Sequence, residues 1–414
     1  MSLSERLTGV TLRENIPITL VGLGHGAIHW TAACFYLLLP PLSMALGLSY
    51  TETGALVSVF HVSSFAANFF SGPLIDISGR KVLFQILSVA IGALALAGIG
   101  MAASFLAIAG LVAVIGVTAN LWHPPAISFL SGRYPKNRGY ALSIHGLGAS
   151  TGDTIAPLAA GALIAALGWQ QAAEVSALPV LAVAAILAVG LLRYETVRPK
   201  TGAAHGVGLG EYLSGLKRVV ANRAILGLCL MSGFRSMTQQ GLLAFLPLYL
   251  AHDMGSGPVM IGLAMAAMQV GGVIATPVAG VWSDRAGRRT VVLAGLGAST
   301  LIIASLTFLG SETAFIAGIS LLGFVLFAVR PVVHSWMMDL TPPHLGGSAT
   351  SLMFGTQSGF AMVMPLAGGM LADAYGLVSV FYMLAASILV TNLITLRLPK
   401  DRASAEAESQ DRGA

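Results

Sequence analysis

The sequence predicts an all-α membrane protein with twelve transmembrane helices in two six-helix pseudo-symmetric bundles, and three observations carry that expectation. Hydrophobic residues make up 56% of the 414 and charged residues only 9%, a balance too apolar for a water-soluble globule. Apolar runs of about 20 residues, the length a helix needs to cross roughly 30 Å of hydrocarbon, recur along the chain. The decapeptide GPLIDISGRK at residues 72–81 returns as GVWSDRAGRR at residues 280–289, an offset of 208.

The apolar runs of the first half lie near residues 17–41, 53–75, 82–103, 105–131, 139–164 and 171–193. Those of the second lie near 223–250, 257–281, 290–310, 313–338, 347–371 and 377–397. Within the decapeptides, Gly72, Asp76, Gly79 and Arg80 meet Gly280, Asp284, Gly287 and Arg288, and Pro157/Pro365, Gly161/Gly369 and Gly168/Gly376 keep the same register. Both signatures fall on one side of the membrane, so each half holds an even number of spans and the repeat is parallel.

The expected domains are an N-terminal bundle over 1–193, a cytoplasmic linker over 194–222, a C-terminal bundle over 223–400 and a disordered tail over 401–414. The linker carries Pro199, glycines and mixed charges, and the tail is polar throughout. Of the 22 basic residues, all but two map to one set of span ends and linkers, the opposite loops carrying Glu52, Glu174, Asp253, Glu312 and Asp373. Basic residues are retained inside, which predicts a multi-pass protein of the cell (inner) membrane with both termini cytoplasmic. The net charge of +5 is then a topology signal and requires no nucleic-acid partner. Residues 1–16 are polar and the first apolar run lacks a small-residue cleavage site, so no cleavable leader is expected.

Enzymatic, metal and cofactor chemistry find no support in the sequence. Cys34 and Cys229 both fall inside spans, which offers no disulfide or zinc framework. No nucleophile–base set, phosphate loop or H-E-x-x-H spacing is present.

Twelve spans in two parallel halves, a G-x-x-x-D-x-x-G-R-[KR] segment in each and a long central linker resemble the major facilitator superfamily over nearly the whole chain. The resemblance implies a secondary transporter working by alternating access, a central cavity lined by helices 1, 4, 7 and 10, and a conformational role for the eight signature residues. Topology alone is the other role open to the arginines of those loops.

Charged side chains at mid-bilayer cost about 2.5–3.5 kcal/mol on insertion scales and persist where they face a polar cavity. Arg235 in helix 7 and Arg330 in helix 10 are the two basic residues so placed, with Gln239 one turn beyond Arg235. His25 and His29 share a face of helix 1, His123 lies in helix 4, and His334 sits one turn past Arg330. His123-Pro124 and Arg330-Pro331 are 207 residues apart, so the repeat sets a basic residue before proline at matching depths. These seven side chains form the expected substrate site. Guanidinium groups suit carboxylate, phosphate or phosphonate, which predicts a small anionic cargo. Pairing of Arg235 with Asp153 or with backbone carbonyls is the structural alternative.

Asp153, the one acid deep in a span, and His145, eight residues earlier on the same face, are the expected proton-coupling pair. A carboxylate permanently paired with Arg or His is the alternative. Gly139, Gly148 and Gly152 open a partial match to the antiporter motif of drug-exporting members, although Asp153 stands where that motif has proline. Small-residue helix packing would place the same glycines there. His61 and Gln357 carry weaker signals.

Residues 123–161 also resemble the fosmidomycin-resistance branch in their His-Pro, basic loop and glycine-rich helix, with Pro125 and His29 standing where that branch is acidic. The expectation is a monomeric, proton-coupled transporter that exports a small anion. An uptake permease for a carboxylate or phosphonate, or a non-transporting membrane sensor on the same fold, are the alternatives. The expected partners are the substrate, protons and the lipid bilayer.

Overall fold

A computed structural model describes residues 9–195, 220–341 and 346–399. Most of the expected linker, residues 196–219, and the expected tail lie outside the described residues. The described chain is all-helical. The helices are α1 (Leu12–Leu46), α2 (Tyr50–Ser78), α3 (Lys81–Met101), α4 (Phe105–Leu121), α5 (His123–Arg133), α6 (Arg138–Leu167) and α7 (Trp169–Leu191). After the linker come α8 (Arg223–His252), α9 (Pro258–Ala286), α10 (Arg288–Leu306), α11 (Glu312–Leu340), α12 (Gly346–Tyr375) and α13 (Leu377–Arg397).

Local chemistry sets many of these limits. Thr11 and Glu14 form a reciprocal capping box at α1, the Thr11 amide donating to Glu14 Oε2 at 2.9 Å and the Glu14 amide to Thr11 Oγ1 at 3.3 Å. Side-chain oxygens of Ser104, Asn222 and Ser311 accept amide hydrogens at the starts of α4, α8 and α11. Trp122 divides α4 from α5 because Pro124 and Pro125 lack the N–H groups that would continue the ladder, and they restart it as first-turn residues. The fourth expected span is therefore a broken helix.

The backbone carries the duplication more plainly than the side chains do. Six glycines in the left-handed region pair off at the 208 offset: Gly47 with Gly255, Gly79 with Gly287, and Gly168 with Gly376. Each lies at a helix end or in the turn between two helices, where a positive φ would strain any residue with a side chain.

Ten segments of the described chain are long and apolar enough to cross a membrane, Phe105–Arg133 counting as one. Of the twelve expected spans, α8 and α12 are the two outside that set. Each is a helix of 30 residues, α8 diluted by Arg235, Gln239 and Gln240 and α12 by glycines and hydroxyls.

Chain contacts gather the helices into two compact units. The first holds α1, α2 from Leu56 onward, α3 to α7, and α9 as far as Ala266; the second holds Ser49–Ala55, α8, α9 from Ala267, and α10 to α13. In the first unit, Trp122, Val89, Ala93, Ala126 and Leu187 form a fully buried core. There α6 packs against α1 at glycines: a Cβ on Gly148 or Gly152 would collide with the carbonyl oxygen of Gly22 or Gly26. In the second, the first turn of α2 seats on α12. The Tyr50 amide donates to Asp373 Oδ1 at 2.8 Å, and the Thr51 amide and hydroxyl donate to Asp373 Oδ2 at 2.9 and 2.5 Å. Burial would push this carboxyl up, but the Thr51 hydroxyl and the two amides outweigh it and hold Asp373 below the usual carboxylate range.

Candidate functional site

The polar residues singled out in the sequence fall into two clusters, one inside each unit. In the first, the glycine contact between α1 and α6 brings side chains of one helix to the backbone of the other. Nδ1 of His25, a residue 5% exposed, donates to the His145 carbonyl at 2.7 Å, and the two imidazoles stack with centroids 3.7 Å apart. One turn on, His29 Nδ1 lies 3.0 Å from Asp153 Oδ2, each side chain about 30% exposed. His123, at the start of α5, donates from Nδ1 to the Ala119 carbonyl at 2.9 Å and presents Nε2 to His25 Nε2 at 3.3 Å. His145 in turn accepts from the indole N–H of Trp122 at 3.3 Å.

Asp153 and His145, expected as a pair, are thus separated into different contacts, Asp153 with His29 and His145 with His25 and Trp122. Their spacing on α6 was visible in the sequence; the intervening role of α1 was not. Gly148 and Gly152, the start of the partial antiporter motif, sit at the closest approach of α6 to α1. A cleft of about 420 Å³ runs between α1, α6 and α7, lined by Leu23, Trp30, Leu147, Ile155 and Val183, and its lining includes none of the histidines.

The second cluster centres on Arg235 of α8. Its side chain is 2% exposed, its Nη1 donates to Gln239 Oε1 at 3.1 Å, and its Nε has no hydrogen-bond partner among the described residues. Arg330 on α11 is near enough to repel it. His334, one turn further along α11, lies within the field of both arginines, and its Nε2 is likewise buried without a partner among the described residues. His334 also packs on Phe354, ring centroids 5.3 Å apart. Two orphaned nitrogens beside two like charges are the arrangement that buried polar groups normally avoid. Of the weaker candidates, His61 meets the Tyr36 hydroxyl at 3.2 Å, and Gln357 donates to Ser232.

The second signature forms a charge network of its own. Arg288 donates to Asp284 of the same decapeptide, to Ser283 Oγ at 2.7 Å and to Asp339 at the end of α11 at 3.2 Å. In the first copy Gly79 shares the positive φ of Gly287, and Glu195 accepts amide hydrogens from Val82 and Leu83 at 3.3 and 2.7 Å, capping α3.

The profile of the Major Facilitator Superfamily matches residues 21–255 and again 228–413. The chain belongs to the major facilitator superfamily. Relatives agree across nearly full length. An uncharacterized MFS-type transporter, YfnC, of Bacillus subtilis is 25% identical over 93% of this chain and 93% of its own. The multidrug resistance protein MdtG of Proteus mirabilis is 26% identical over 89% and 94%, and the probable sulfoacetate transporter SauU of Cupriavidus necator 25% identical over 88% and 90%. Among solved structures, the nucleoside transporter NupG aligns with a TM-score of 0.72 at 14% identity, over 93% of this chain and 99% of that one. A bacterial homologue of the human lysosomal transporter Spinster aligns at 0.74 and 17%, over 93% and 95%. This superfamily member is a multi-pass membrane transporter and not an enzyme; its partners are a small-molecule substrate and membrane lipid.

Missing from the sequence expectations was any metal chemistry. His25, His29 and His123 each bring one ring nitrogen within 4.8 Å of the other two. The signal was the i, i+4 spacing of His25 and His29, which puts two imidazoles on one helical face.

Proposed function

We propose that this protein is a secondary active transporter that exports a small organic anion, a carboxylate, sulfonate or phosphonate, by alternating access. Arg235 carries the proposal. A guanidinium 2% exposed, neighboured by a second arginine and hydrogen-bonded only to neutral Gln239 among the described residues, is an uncompensated buried charge. Such a charge costs several kcal/mol and is retained where a ligand supplies the missing countercharge. Its planar donors suit the paired oxygens of those three anion classes, with Gln239, Arg330 and His334 completing the second-unit site. His25 and His123 donate to carbonyls inside the first unit, so anion binding is assigned to the second.

The sulfoacetate named for the Cupriavidus relative supports an anionic cargo, and the multidrug resistance named for the Proteus relative supports export. Import of an organic anion is the second reading, since the name of the Cupriavidus relative gives a cargo and no direction. The fosmidomycin-resistance branch is a proposed affiliation, supported by His123-Pro124 and the glycine-rich α6. A monomer in the cell (inner) membrane with both termini cytoplasmic, driven by a proton gradient, completes the proposal, since export against a concentration gradient requires a coupled ion. The signature residues Gly72, Asp76, Gly79, Arg80, Gly280, Asp284, Gly287 and Arg288 are proposed to stabilise one of the two facing states.

Reconstitution into proteoliposomes tests this reading. With sulfoacetate and a small phosphonate as probes, an imposed pH gradient drives movement of at least one of them, and an uncoupler stops it. Arg235→Gln and Arg330→Gln each weaken anion affinity by ten-fold or more. Unchanged affinity in both variants sinks the assignment.

A further inference from the structure

We propose that His25, His29 and His123 form a three-imidazole site for a borderline divalent cation of the Zn²⁺ class. Hydrogen bonding fixes the tautomers. The carbonyls of His145 and Ala119 can only accept, so Nδ1 of His25 and Nδ1 of His123 both carry hydrogen. Each neutral ring therefore directs its lone pair from Nε2, and those two nitrogens face each other at 3.3 Å. Two lone pairs at that distance repel unless an electrophile sits between them.

Geometry separates the two electrophiles available. Two nitrogens held 2.0–2.1 Å from one tetrahedral ion stand about 3.3 Å apart, the separation found. A shared proton would also satisfy the His25–His123 pair, but it gives no reason for a third imidazole to converge there. His29 does converge, one nitrogen of each ring lying within 4.8 Å of the others. Closing that triangle onto one ion takes at most ~1.5 Å of side-chain movement.

The outer contacts have the form that metal-binding histidines use. Each ligand's Nδ1 hydrogen goes to a fixed acceptor: the His145 carbonyl, the Ala119 carbonyl and, for His29, the Asp153 carboxylate at 3.0 Å. Asp153 thereby also places a negative charge beside the cation. Trp122 holds His145, which stacks on His25, so the innermost ligand is oriented by that ring as well as by its Nδ1 hydrogen bond. His29 and Asp153, each about 30% exposed, give a route of access. Three neutral imidazoles leave the fourth position of a tetrahedral ion to water or an exogenous anion, the form of an exchangeable site. Imidazole with no thiolate favours Zn²⁺, Co²⁺, Ni²⁺ or Cu²⁺ over Mg²⁺ and Ca²⁺.

The site lies wholly in the first unit, so it stands or falls separately from the anion site. Calorimetric titration of the full chain in detergent, purified without a polyhistidine tag, with ZnCl₂ at neutral pH reads it directly. One ion binds per chain, and MgCl₂ at the same concentration gives no heat. His123→Ala lowers Zn²⁺ affinity at least 100-fold, Asp153→Asn lowers it 10- to 100-fold by releasing His29, and His61→Gln leaves it unchanged. Monodisperse elution certifies each variant, and His29→Gln replaces His123→Ala if that one misfolds. Absence of Zn²⁺ binding to the wild-type chain, as a proton-sharing pair alone would give, overturns the proposal. So does affinity unchanged by loss of either histidine.

Discussion

The α1–α6 seam of the first unit and the α8–α12 seam of the second occupy matching places in the repeat and are built from opposite materials. At the 208 offset Gly26 becomes Phe234 and Gly152 becomes Phe360, and the two aromatic rings meet at a centroid distance of 4.7 Å. Where glycines face each other, backbones close in, and imidazoles on α1 reach a carbonyl and a carboxylate of α6. Where phenylalanines face each other, the backbones are spaced by rings, and Arg235 finds its acceptor four residues along its own helix. Duplication kept the scaffold while the choice of seam residue decided the polar chemistry beside it. One unit gives the Nδ1 hydrogens of its buried rings acceptors of its own, and the other leaves a charge unmet.

The largest effect is expected where that contrast is sharpest. Arg235→Gln removes the unmet charge and should reduce transport of the anion by about 100-fold, or roughly 3 kcal/mol, a size typical of one truncated partner in a buried charge pair. Zn²⁺ affinity should not change. Loss of both together would show that the two clusters act as one site.

Next in size are the seams themselves, which should fail in opposite directions. Gly152→Ala places a methyl against the Gly26 carbonyl and should cost about 1–3 kcal/mol by overpacking, with Zn²⁺ affinity falling because His29 and Asp153 move apart. Phe360→Leu trims the matching position and should cost about 1 kcal/mol through the lost ring contact. Thermal unfolding in detergent reads both. A Gly152→Ala protein as stable as the wild type would mean that the seam tolerates a side chain after all.

The all-helical membrane-spanning fold could be read from the chain because repetition and apolar length are properties of sequence alone. Gly79/Gly287 and Gly168/Gly376 align at the 208 offset and share a positive φ. Positions along one helix were equally legible, as His25 and His29 show. Distances between helices were not, since they depend on which small residues meet. Asp153 and His145 share a face of α6, and Gly148 and Gly152 bring α1 close enough for His29 to meet Asp153 and for His25 to stack on His145. His123 and His25 are 98 residues apart, and no spacing rule brings their Nε2 atoms to 3.3 Å. The exchange of Ser49–Ala55 and of the start of α9 between units was hidden for the same reason.

Those exchanged segments provide the smallest test. Tyr50 and Pro258 are repeat mates, as are Gly54 with Gly262 and Pro157 with Pro365. In the second unit Gly54 lies against the Pro365 carbonyl, and in the first Gly262 lies against the Pro157 carbonyl. Only the second-unit contact carries an acid, because the residue 208 before Asp373 is Ala165. Asp373 is held below its ordinary value of 3.8, so its contribution is complete above that pH and is lost as pH falls through the lower, folded value. Asp373→Asn should cost about 1 kcal/mol at neutral pH, near the N-cap average because the carboxylate is exposed and solvent screens it. The difference from the wild type should vanish under acid conditions. Ala165→Ser, at the matching place in the first unit, should show neither the cost nor the pH dependence. If the Asp373→Asn deficit persists unchanged at low pH, the α2 turn is held by packing at Gly54, and the two contacts are alike in chemistry as well as in place.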